Sequence, residues 1–127
     1  MSQNKSCNIE YANDTLFWPD QPTASRTKTV VISGWIIDES TKTVPANLKL
    51  RLQTANAVSA WEQDVVTRTD RADVAKRHNE DAYLKSGFRV DLDIPDFAPG
   101  DYVVYLAFDT PAGEAICGIG RRFTVTP

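Results

Sequence analysis

A hydrophobic alternation of period two constrains this chain more than any other feature. Leu48, Leu50 and Leu52 alternate with Lys49, Arg51 and Gln53, and Phe88, Val90, Leu92 and Ile94 alternate with Arg89, Asp91 and Asp93. Side chains on a strand point to opposite faces in turn, so each stretch has one face to bury and one to leave in water. Such strands need a second layer against which to bury the dry face. Residues 28–37 carry apolar groups on both faces, Val30, Ile32 and Ile36 against Val31, Trp35 and Ile37, as expected of a central strand. Residues 102–108 read in the same way. Residues 7–11 and 115–125 are predicted as the first and last strands, the latter bulged or bent at Gly118 and Gly120. Residues 57–67 form a weaker candidate, whose alternation slips around Trp61.

The connections carry turn chemistry. Asp109-Thr110-Pro111-Ala112-Gly113 predicts a tight hairpin between the last two strands, and Pro99-Gly100 turns the chain before Tyr102. The one helical patch lies at 72–79, with Asp70 or Thr69 as its cap and Asp73 in its first turn, and it reads as a crossover between sheets. The 127 residues suit one domain, 1–127, with an ordered core at about 7–125. About seven to eight strands with one short helix define an all-β fold, a β-sandwich. One local pattern sharpens it to immunoglobulin-like. In Asp96-Phe97-Ala98-Pro99-Gly100-Asp101-Tyr102 a tyrosine opens a strand just after a Pro-Gly corner, the setting in which a phenol bonds back to backbone upstream. The competing reading is an ordinary strand tyrosine.

Catalysis, metals and nucleic acid find little support. A net charge of -3 and a pI near 5.1 supply no basic field for phosphates, so no nucleic-acid partner is expected. No run approaches the roughly 18 apolar residues that span a bilayer, and no membrane insertion by this segment is expected. His78 is the only imidazole, and in Lys76-Arg77-His78-Asn79-Glu80-Asp81 it reads as a solvated side chain. Arg68, Arg71, Lys76 and Arg77 among Asp70, Asp73, Glu80 and Asp81 read as a mixed-charge exposed surface. Gly118-Ile119-Gly120-Arg121-Arg122 lacks the Lys-Ser/Thr and the helix of a phosphate loop. No EF-hand spacing occurs. The expectation is a non-enzyme without metal or cofactor.

Exposed aromatics offer the best route to a binding function, because sugar rings stack on their faces. Trp18, Trp61 and Tyr83 are the candidate ligand-binding residues, with ordinary packing as the rival reading for the two tryptophans. Trp35 is expected in the core or under a covering segment. Cys7 and Cys117 lie near opposite ends and match no zinc or CxxC spacing. From spacing alone they are either a disulfide or two buried thiols.

Taken in order, Ser33-Gly34-Trp35 before an acidic loop, Arg71-Ala72-Asp73-Val74, Ser86-Gly87-Phe88 and Pro99-Gly100-Asp101-Tyr102 form a series. It resembles the small immunoglobulin-like accessory domains of bacterial envelope proteins, often appended to membrane glycosyltransferases or other sugar-handling proteins. The resemblance runs from about Cys7 to Val125 and includes a cysteine near each end. It implies an extracytoplasmic, periplasmic, non-catalytic domain that contacts carbohydrate or a neighbouring domain of a larger protein, and it favours a Cys7–Cys117 disulfide. The alternative is a structural or protein–protein interaction module with no glycan ligand. The resemblance supplies no catalytic residue. Arg71 and Asp73 enter as structural residues, Arg71 pairing with a carboxylate and Val74 plugging the sandwich edge.

Overall fold

The alternating stretches become the strands on which everything else is built. A computed structural model describes residues 2–3, 6–13, 15–17, 21–25, 29–54, 56, 60–93, 98–111 and 113–126. In chain order the strands are β1 (Ser2–Gln3), β2 (Cys7–Ala12), β3 (Thr15–Leu16), β4 (Thr23–Ser25), β5 (Thr29–Ile36), β6 (Leu48–Thr54), β7 (Ala60–Asp64) and β8 (Thr67–Thr69). Helix α1 (Ala72–Arg77) and a 3-10 helix (Asp81–Ser86) follow, then β9 (Gly87–Asp93), β10 (Gly100–Thr110) and β11 (Gly113–Thr126). One sheet has the order β1-β11-β10-β6-β7, with β4 also on β11; the other runs β3-β2-β5-β9-β8. Pairing is antiparallel except for β1 and β4, which lie parallel to β11.

The dry faces meet between the sheets, giving an all-β sandwich. Leu48, Leu50 and Leu52 stand opposite Phe108, Leu106 and Val104, and all six are buried. Val30, Ile32, Phe88, Val90 and Leu92 from the second sheet complete the same cluster. Cys7 of β2 and Cys117 of β11 are joined by a disulfide across it, with Cα atoms 6.5 Å apart. Beside the bond, Arg121 Nη2 donates to Asn8 Oδ1 at 3.1 Å, so the two sheets are stitched at one edge. Gly118 and Gly120 do fall at an irregularity: β11 inserts extra residues opposite Tyr105, and Gly120 has φ +75°.

Three expectations need correction. Of residues 57–67, the first three lie outside the described residues, and the rest are not one strand, because β7 and β8 belong to different sheets. The chain crosses at Val65, which is buried, while Val66 is 86% exposed. The helix stops at Arg77, where His78 closes it and Asn79 turns left-handed with φ +49°. Neither Thr69 nor Asp70 caps it: Arg71 occupies the cap position, Thr69 is still in β8, and Asp70 is held 2.5 Å from Lys85. Arg68 and Arg71 are not exposed surface charges either. Arg68 is half-buried and donates to the carbonyls of Gly87, Pro45 and Lys85 at 3.1, 2.7 and 3.3 Å.

At the opposite end from the helix, Tyr102 opens the central run of β10. Its hydroxyl donates to the Ala98 carbonyl at 2.7 Å, and its ring stacks on Phe123 with centroids 5.8 Å apart. Replacing Tyr102 with Phe keeps the stacking and removes that bond, so urea denaturation should report a loss of about 1 kcal/mol. An unchanged midpoint would mean that the corner contributes nothing to the fold.

Candidate functional site on the outer face of the β2-β5-β9-β8 sheet

Motifs that lie far apart in the chain converge on this face. Ser33-Gly34-Trp35 sits on β5 and Gly87-Phe88 on β9, and Gly34 stands directly opposite Phe88 while Trp35 stands opposite Gly87. On the other side of β5, Ile9 pairs with Gly34 and Tyr11 with Ser33, leaving Glu10 as an extra residue in a β-bulge. The bulge requires the glycine. A Cβ at Gly34 would collide with the Asn8 carbonyl oxygen and lie 3.1 Å from the Glu10 amide nitrogen. Gly87 is equally constrained, since a Cβ there would collide with Thr69 Oγ1 and stand 2.8 Å from Arg71 Cγ.

Arg71 is therefore laid over Gly87, with its guanidinium turned towards the bulge. Nη1 and Nη2 donate to the two oxygens of Glu10 at 2.6 and 3.3 Å, and Nε and Nη2 donate to those of Asp73 at 2.9 and 2.9 Å. Planar two-point pairing with two carboxylates suits arginine and not lysine. The Arg71 backbone amide also donates to the Leu84 carbonyl at 2.6 Å, which ties the clamp to the 3-10 helix. The hydrogen bonds from Arg71 draw the Asp73 carboxyl down to about 2, against its own partial desolvation. Because this lies below the value in the unfolded chain, the stabilisation is complete above about pH 4 and is lost as the pH falls through about 2. Acid unfolding of Asp73→Asn should show a shallower pH dependence across that window; an identical profile would remove Asp73 from the clamp.

Beside the clamp lies a shallow depression of about 380 Å³, lined by Glu10, Tyr11, Ser33, Gly34, Thr69, Arg71, Phe88 and Arg89. Tyr11 is 40% exposed and pairs across strands with Leu16, at 41%. Arg89 contacts Asp91 at 3.3 Å. Among the described residues no hydrogen bond engages the hydroxyls of Tyr11, Ser33 or Thr69. The arrangement offers a part-exposed tyrosine, three hydroxyls, an arginine held between two carboxylates and the exposed Arg89. It suits holding a polar ligand, and it contains no imidazole.

Of the aromatics proposed from sequence, the two described ones lie apart, Trp61 on β7 and Tyr83 in the 3-10 helix. Trp18 lies outside the described residues. Trp61 is opposite Leu52 on the edge strand β7, on the core side, and its ring tilts over Tyr102 at 5.7 Å. It stands at the rim of the core and remains 36% exposed, on the sheet opposite the depression. Tyr83 is 4% exposed in a second small core with Ile37 and Val74, and burial raises its phenol pKa, helped by nearby Glu39, Glu80 and Asp38. A ring so enclosed presents no face to a sugar. Trp35 packs against that cluster from the sheet, half-buried under α1. Val74, 1% exposed, fills the space between.

His78 also departs from the solvated position expected of it. Its ring lies 6.3 Å from Trp35 and 5.6 Å from Tyr83, edge-on to the latter, with Nδ1 3.7 Å from Glu39. The short helix positions it as a lid over the aromatic pair. Among the described residues no group of three or more His, Cys, Asp or Glu side chains is placed to hold a metal ion. Nor, among the described residues, is any helix long and apolar enough to cross a membrane.

Sequence reasoning missed Tyr11, Glu10 and Thr69 as parts of one surface. A signal for the first two existed in Gly34, because a glycine inside so apolar a strand marks the close approach of another backbone. No protein-family model, curated protein or solved structure matched the chain.

Proposed function

We propose that this chain is a non-catalytic, immunoglobulin-like accessory domain of an extracytoplasmic, periplasmic envelope protein, and that it contacts carbohydrate. The observation that carries the binding role is the depression beside Arg71, where an outward tyrosine and unengaged hydroxyls are held on rigid strands. Sites built on strands keep their geometry better than sites on loops. The strand orders support the immunoglobulin-like reading. β2, β5, β9 and β8 follow the A-B-E-D order, β11, β10, β6 and β7 follow G-F-C-C′, and Tyr102 bonds to the turn before strand F. The Cys7–Cys117 bond supports an oxidising compartment, since structural disulfides persist there and are rare in the cytosol.

Contact with a neighbouring domain is the second reading, favoured by the exposed Tyr11–Leu16 pair at the edge of the same face. A panel of envelope-type glycans, titrated against the protein with heat of binding as the readout, separates the two. Saturable binding to a glycan supports the first. Silence across the panel, with binding to a flanking domain of the parent protein, supports the second.

A further inference from the structure

We infer that the depression beside Arg71 is a subsite for a single neutral pyranose ring, stacked on Tyr11 and hydrogen-bonded by Ser33, Thr69 and the Glu10 carboxylate. The inference rests on the carbohydrate reading and specifies its site and ligand class. Charge decides between ligand classes. Both oxygens of Glu10 and of Asp73 are bonded to the Arg71 guanidinium, whereas Arg89, outside that clamp, meets Asp91 through Nε alone at 3.3 Å. A charged group seated against Arg71 would have to compete with its two carboxylates, whereas a neutral polyhydroxylated ring needs only the hydroxyls and the spare acceptor capacity of Glu10.

Shape points the same way. The cavity, at about 380 Å³, is at the small end of the range for ligand sites and is open, so it accepts one ring of a longer chain and leaves the rest in solvent. The bulge at Glu10 sends Glu10 towards Arg71 and leaves Tyr11 on the outer face beside Ser33. Bulges that re-aim side chains in this way recur next to functional sites. Tyr11 lies on the outer face because it stands opposite Ser33 and Leu16, neither of which is in the core.

The test is isothermal titration with cellotetraose, maltotetraose and N-acetylchitotriose as neutral probes and tri-galacturonate as an acidic one. Wild-type protein should bind at least one neutral probe and discriminate against the acidic one. Tyr11→Ala should weaken that binding about tenfold, Tyr11→Phe should retain most of it, and Trp61→Ala should leave it unchanged. Ser33→Ala is a second variant, expected to weaken binding several-fold without touching the aromatic ring. Neutral-sugar binding that survives both Tyr11→Ala and Ser33→Ala would overturn the subsite while leaving the carbohydrate reading in place. Tighter binding of tri-galacturonate would overturn the neutral ligand class. No binding of any probe by wild-type protein would overturn the subsite, and silence across the wider glycan panel would then remove the carbohydrate reading as well.

Discussion

Converting Cys7 and Cys117 together to alanine should lower the unfolding free energy by about 3–5 kcal/mol. The bond closes a loop spanning a sequence separation of 110, close to the whole length of the domain. The entropy it removes from the unfolded chain is therefore near the top of the usual range. Both residues are buried, Cys117 completely, so alanine avoids placing a hydroxyl in the core but leaves a small void, which adds to the loss. The effect should be matched by adding reductant to the wild-type protein. In urea, the oxidised and reduced forms should differ in midpoint and also in slope, because the reduced unfolded chain expands further. A difference below about 1 kcal/mol would mean that the sandwich is held by its apolar core alone. The same comparison bears on compartment, since a domain that depends so strongly on the bond would be poorly stable in a reducing cytosol.

Gly34→Ala is expected to cost about 3 kcal/mol, the upper part of the range for inserting a methyl into a filled space. The added carbon would meet the backbone of Asn8, not the end of a flexible side chain, so β2 itself must move. That strand carries Cys7, Glu10 and Tyr11, and its displacement should loosen the Arg71 clamp and misplace the tyrosine together. Chemical denaturation and sugar titration of this variant should therefore fall in parallel. A stable Gly34→Ala protein with unaltered binding would show that the bulge does not position the site.

The strands that alternate cleanly are legible because the information is local. Leu48 to Leu52 and Phe88 to Leu92 needed no knowledge of their neighbours to be assigned a dry face. Crossings between sheets are different. At Val65 and Val66 the chain leaves one sheet for the other within two residues, and period two cannot register a change of partner. The Arg71 clamp illustrates the same limit. Its pairing with Asp73 is visible two residues away, but its pairing with Glu10 spans 61 residues and depends on a bulge that only the β2–β5 register creates. The burial of Tyr83 is not legible in the sequence, because the 3-10 helix that carries its ring into the small core with Ile37 and Val74 leaves no periodic trace over so few residues. Tyr11 was passed over for the opposite reason. It lies in a predicted strand, where an aromatic is ordinarily assigned to packing, and only the bulge puts it on the wet side.

The ordered motif series, legible as a resemblance, acquires a physical reason. Gly34 admits the β2 backbone, Gly87 admits the stem of Arg71, and Val74 closes the small core over Trp35. These are parts of one packing arrangement at one end of the sandwich. The Pro99-Gly100-Asp101-Tyr102 corner serves separately, anchoring the start of β10.

Carbohydrate binding at the outer face of the β2-β5-β9-β8 sheet is tested residue by residue in an amide chemical-shift map of the intact protein titrated with cellotetraose, maltotetraose and N-acetylchitotriose. Saturable shifts should centre on Tyr11, Ser33, Thr69 and Arg89, with β6 and β7 unmoved. Shifts clustered around Trp61, or none with any of the three sugars, would contradict it.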